Sequence, residues 1–116
     1  FVVAPPTLPA PTPSAQCTGL AAAITAPAMD SRVAGIIEIR GSVASTNLAY
    51  WKLEYRAEAN AEFTQLLRGE TPMTDTVLSL WATKTVTNGL YWLQLTAVDS
   101  VGNFGTPCQV RVNVSN

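Results

Sequence analysis

Hydrophobic and polar residues alternate with a period of two along most of the chain. In AYWKLEYRA, Trp51, Leu53 and Tyr55 share one face while Lys52, Glu54 and Arg56 share the other. GIIEIRGSV repeats the pattern, with Ile37, Ile39 and Val43 inward and Glu38 and Arg40 outward. QVRVNV alternates Val110, Val112 and Val114 with Arg111 and Asn113, and TVLSLWAT is expected to turn Leu78 and Leu80 inward. A period of two is that of a strand with one face on a core and one in water. No 3.6-residue stripe persists long enough for a helix of ordinary length. Proline, glycine and asparagine interrupt the pattern every 8 to 14 residues or so, which predicts strands near 21–26, 34–43, 48–58, 62–68, 75–82, 90–99 and 106–114. About seven short alternating strands imply two antiparallel sheets packed as a β-sandwich.

The strongest local signature is NGLYWLQLTAVDSVGNFG. Asn88-Gly89 tolerates the positive φ of a tight turn; Tyr91, Leu93, Leu95 and Ala97 then point one way, and Asp99 opens a second turn closed by Gly102 and Asn103. This run resembles the late hairpin of bacterial immunoglobulin-like or fibronectin-III-like modules, with its G-x-Y-x-L-x-L-x-A-x-D-x-x-G-N pattern. ITAPAMDSRVAGIIEIRGSV, YWKLEYR and Trp81 are similar to segments of modules appended to bacterial cell-surface and penicillin-binding proteins. The resemblance spans about residues 21 to 114 and implies an immunoglobulin-like antiparallel β-sandwich; its motifs mark a fold and carry no catalytic role. One departure concerns the cysteines. Immunoglobulin domains bridge their two sheets across the core, whereas Cys17 precedes the first predicted strand and Cys108 opens the last, so a bridge here is expected to tie an edge.

Ahead of the alternating region stands FVVAPPTLPAPTPSAQ, an arm over residues 1–16, with the sandwich over 17–116. Five prolines remove backbone donors and hold the segment extended, while Phe1, Val2, Val3 and Leu8 supply apolar contacts. Three placements suit it: folded back on its own sandwich, serving as an interdomain linker, or reaching a neighbouring copy. At about 3.1 Å per residue the arm reaches roughly 50 Å, which favours the neighbour. Such a head-to-tail contact does not close on itself and makes a filament.

Composition narrows the partners. Of the 116 residues 13% are charged and 47% hydrophobic, with a net charge of −1. No lysine or arginine cluster is present to attract phosphate backbones, and no apolar run approaches the roughly 20 residues of a membrane helix, so neither nucleic acid nor membrane insertion is expected. The sequence starts at Phe1 without a methionine, which suits either a processed mature chain or a piece of something longer; processed secretion is the expectation taken. Two cysteines, Cys17 and Cys108, in a small domain of that kind are expected to form a disulfide; their spacing fits neither a CxxC redox motif nor a zinc site.

Candidate chemistry is sparse. The chain has no histidine, which removes serine triads, imidazole acid–base catalysis and the common zinc sets. Asp30, Asp75 and Asp99 fall at turns, and Glu38, Glu54 and Glu58 on wet faces, so no carboxylate pair is poised for glycoside hydrolysis. No enzyme activity, cofactor or metal is expected. Asp99 and Asn103 have the oxygen ligands for calcium, but capping their own turn is the simpler role. Aromatic residues on the outward face are more informative. If Tyr91 points inward, Trp92 points outward, and Tyr50 and Ile36 follow by the same parity. Trp92 suits a sugar ring, a partner protein, or a loop or tail of its own chain.

Two functions follow from these residues. One is a secreted structural subunit that assembles with other copies of itself into an extracellular filament, through Phe1, Val2, Val3 and Leu8 docking on a neighbour and with Ile36, Tyr50 and Trp92 as contact residues. The other, implied by the resemblance, is an accessory immunoglobulin-like spacer or carbohydrate-binding module of a cell-wall or surface enzyme, with cell-surface glycan as its partner.

Overall fold

The computed structural model describes residue 17, residues 21–44 and residues 47–116. Eight strands occur among them: β1 (Ala22–Ala26), β2 (Ser31–Val33), β3 (Ile36–Val43), β4 (Leu48–Ala57), β5 (Thr64–Gly69), β6 (Met73–Ala82), β7 (Gly89–Asp99) and β8 (Cys108–Val114), with a 3-10 turn at Thr83–Thr85 between β6 and β7. They form two sheets, β1-β3-β6 and β2-β8-β7-β4-β5, packed face to face. The proline-rich arm, and with it the docking expected of Phe1, Val2, Val3 and Leu8, lies outside the described residues.

All seven expected strands form within two residues of their predicted ends. Two features of the expected sandwich need correction. An eighth strand, β2, joins the larger sheet, and it pairs parallel to β8 (Ser31 beside Val112, Val33 beside Val114), so the fold is not antiparallel throughout. Three residues are too few to display a period, and the pairing that makes them a strand is made more than 80 residues away in sequence. The second correction is Leu80, which is 59% exposed, while Leu78 and Trp81 are buried. Between Ile39/Ser79 and Arg40/Val77 the β3–β6 register slips by one residue, a bulge that leaves Leu78 without a partner. One extra residue reverses the parity on its far side, so Trp81 takes the inward place and Leu80 turns out.

The inward faces otherwise follow the alternation. Leu53, Leu93, Leu95, Ile24, Ile39, Val110 and Val112 are fully buried, each worth about 1.5 to 3 kcal/mol relative to exposure. At one end of the sandwich Trp81 meets Tyr91 edge-on at 5.7 Å between centroids and lies 5.1 Å from the half-buried Tyr55, so strands from both sheets converge on one aromatic cluster. Tyr91 is buried and its hydroxyl donates to the carbonyl of Thr87 at 2.8 Å, which fixes the approach to β7. This is the tyrosine-corner arrangement of immunoglobulin-like sandwiches. Trp51 packs flat over Gly69, its partner across β4–β5, and donates from Nε1 to the Thr71 carbonyl at 2.9 Å; any Cβ at position 69 would collide with the indole ring.

The cysteines are joined, Cys17 to Cys108, with Cα atoms 5.6 Å apart. The expectation that this bond ties an edge is also corrected. Cys108 is fully buried and Cys17 nearly so, both belong to the core cluster, and the Ile24 amide of the opposite sheet donates to Cys108 Sγ at 3.2 Å. Cys108 shares the inward parity of Val110, Val112 and Val114 along β8, which turns its sulfur into the core, while β2 pairs only with Val112–Val114 at the other end of the strand.

Candidate functional site

Two of the three outward-pointing signals, Tyr50 and Trp92, fall together. The solvent face of β2-β8-β7-β4-β5 carries three rows set by register: Arg56, Trp92 and Arg111; Glu54, Gln94 and Gln109; and Lys52 with Thr96. Tyr50 stands at the end of β4 beside Val98, and Arg68, on β5, lies opposite Lys52. Four of the seven lysines and arginines of the chain are on this face, an outcome of strand pairing that no cluster in the linear sequence announces.

The cations are held by rings and carboxylates. The Arg68 guanidinium sits 3.9 Å above the Tyr50 ring, and that of Arg111 is 5.8 Å from the Trp92 ring centroid. Arg111 also donates from Nε to Asp30 Oδ1 at 2.6 Å and from Nη1 to Glu58 Oε1 at 3.1 Å. These hydrogen bonds, Asp30's first, raise its pKa above the ordinary arginine value, so the charge is permanent. Asp30 adopts a positive φ of 60°, a conformation costly for most residues, and its amide donates to the Arg111 carbonyl at 2.6 Å. Arg111 thus organises the turn that leads into β2. Lys52 reaches Glu54 at 3.6 Å, and Gln109 Nε2 donates to Gln94 Oε1 at 2.8 Å.

Among the sequence-predicted residues, Tyr50 and Trp92 therefore share this face, both half-buried beneath guanidinium groups rather than open. Ile36 does not join them. It is 73% exposed on the outer face of the other sheet, next to Leu80. Parity places a residue in or out, but it does not say on which side of the sandwich its strand lies. The Asp99 carboxylate accepts from the amides of Val101 at 3.0 Å and Asn103 at 2.9 Å, closing its own turn as expected. Among the described residues no group of three or more histidine, cysteine, aspartate or glutamate side chains gathers to hold a metal ion, and no helix is long and apolar enough to cross a membrane. Sequence reasoning missed Val101 and Phe104, exposed in the β7–β8 connection, for which Gly-rich turn chemistry was the dominant signal.

Comparison with known proteins sets this arrangement in context. The chain is similar in fold to fibronectin(III)-like modules of Clostridium thermocellum CbhA, with a TM-score of 0.47 and 14% identity over 79% of this chain and 93% of theirs. No protein-family model and no curated protein matches it. The sandwich itself is defined by its own strand order, its tyrosine corner and its two-sheet core.

Proposed function

We propose that the chain is a non-catalytic, extracellular spacer module. The observation that carries this reading is the position of its covalent anchor. Cys17 is bonded to Cys108, the first residue of β8, and the chain leaves β8 at Val114. Polypeptide therefore enters at one end of a single strand and leaves at the other, about 20 Å away along seven residues. That geometry separates what lies on either side by a fixed, covalently secured distance. The far end is stitched too: Asn116 Oδ1 accepts from the Gly35 amide at 2.8 Å, Asn116 Nδ2 donates to the Thr83 carbonyl at 3.1 Å, and the Asn116 amide donates to Asn88 Oδ1 at 3.0 Å. A buried disulfide suits an oxidising compartment.

A sugar-stacking role for Trp92 or Tyr50 requires Arg111 or Arg68 to be lifted off its ring first, which disfavours that version of an accessory module. The filament reading rests on the arm alone. Sedimentation of the full chain over a hundredfold range of concentration separates the two. A spacer stays monomeric throughout; growth into polymers with rising concentration would end this proposal and restore assembly.

A further inference from the structure

On the outer face of the larger sheet, beside the β7–β8 connection, lies a depression of about 320 Å³. Tyr50, Phe104 and Pro107 give it apolar walls, and Lys52, Gln94 and Thr96 its polar lining. Phe104 is 66% exposed, whereas Thr96 is only 4% exposed and its hydroxyl has no hydrogen-bond partner among the described residues. A buried orphan hydroxyl costs stability unless something binds it. The remaining polar groups are rich in donors. Lys52 carries three and accepts nothing; Gln94 has its carbonyl taken by Gln109 and keeps its NH₂; the Tyr50 hydroxyl is free of any partner among the described residues.

The ligand complementary to such a cavity has apolar rings and unsatisfied carbonyls but few N–H groups. A proline-rich segment fits that description: its polyproline II backbone makes no internal hydrogen bonds, each proline lacks a donor, and such segments dock in aromatic-lined grooves. This chain carries one, with Pro5, Pro6, Pro9, Pro11 and Pro13 and a P-x-x-P spacing at 6–9 that sets two rings on one edge of a helix with three residues per turn. Its root is already in place. Cys17 is bonded to Cys108, the residue after Pro107, with 5.6 Å between the Cα atoms. Residues 9–13 are then tethered by four to eight residues, roughly 12 to 25 Å of extended chain, to Cys17, whose sulfur lies on the core side of β8, so the arm must round the edge of that strand to reach the outer face.

We propose that the Tyr50–Phe104–Pro107 depression binds the proline-rich arm, residues 5–13, of its own chain, with Thr96, Lys52 and Gln94 donating to the arm's carbonyls. The short tether makes weak contacts sufficient. At an effective concentration of about 1 mM, a groove with an intrinsic Kd of about 0.1 mM is about nine-tenths filled.

The test is nuclear magnetic resonance on the full chain with its disulfide intact. Cross-relaxation peaks are expected between the arm prolines and the rings of Tyr50 and Phe104, at an intensity per molecule that does not change with protein concentration. Replacing two arm residues, Pro6→Ser and Pro9→Ser, abolishes these peaks and moves the amide resonances of Lys52, Gln94 and Thr96, while those of the buried core stay where they are. Thr96→Val, nearly isosteric, weakens the intramolecular binding constant about fivefold, the loss of one hydrogen bond. Absence of arm-to-ring peaks in the unaltered chain overturns the proposal. So does a mixture of differently labelled chains in which the peaks arise only between copies, since the occupant would then be a neighbour's arm.

Discussion

If tension is applied between the two ends of the chain, the disulfide decides how much of the protein feels it. Force entering at Cys17 crosses the sulfurs to Cys108 and continues along β8; the loop between them, 91 residues by sequence separation, is bypassed. That loop contains seven of the eight strands. Its hidden length is about 320 Å, taking about 3.5 Å per extended residue. The segment left in the load path, β8 and the residues after it, is already extended in the fold, so pulling it free adds only about 10 Å or less. β8 is also gripped on both sides, parallel by β2 and antiparallel by β7, so its hydrogen bonds are loaded together in shear rather than opened in turn. The perturbation is reduction of the disulfide, and the assay is single-molecule force spectroscopy with reference domains fused at either end. The oxidised chain is expected to show almost no unfolding step, and the reduced chain a step longer by about 320 Å. An oxidised chain that releases the same long step as the reduced one would refute both the load path and the spacer function that rests on it.

Other outcomes follow from the same contacts. Replacing Cys17 and Cys108 together removes a loop constraint worth about 4 to 5 kcal/mol in the chain-entropy model, to be read as a lower urea midpoint with a steeper slope, since the unbridged denatured chain is more expanded. Tyr91→Phe deletes the buried bond to the Thr87 carbonyl and is expected to cost about 1 to 2 kcal/mol by the same denaturation measurement, leaving the ring packing of Trp81 intact. Gly69→Ala drives a methyl group into the Trp51 indole; a loss of about 1 to 3 kcal/mol is expected together with a changed near-ultraviolet circular dichroism signal, and an unaffected spectrum would contradict the packing described. Because Asp30 and Glu58 raise the Arg111 pKa, any stability the guanidinium contributes is complete below its unfolded pKa and is lost only as pH rises through the higher folded one, far into alkali. Stability should therefore be insensitive to Arg111 titration near neutral pH, and a salt titration of the wild type against Arg111→Gln is the measurement that exposes the ion pairs.

The local pattern of this chain was sufficient for its strands and for most of its buried faces. Alternation in β4, β7 and β8 is clean because each has one side on the core, and the register shifts that touch β4 fall at its first residues and in its partner β5, so Leu53, Leu93 and Val112 are legible one residue at a time. Tertiary structure decided what alternation cannot encode. A one-residue bulge, stabilised only by pairing with β3, moved Leu80 outward and Trp81 inward. Three residues became β2 because β8 was there to receive them. The same sheet order gathered Arg56, Arg68, Arg111 and Lys52 around Tyr50 and Trp92 while sending Ile36 to the opposite side. Each of these is a long-range register, set by which strands lie side by side, and a chain read in order carries the faces of its strands but not their neighbours.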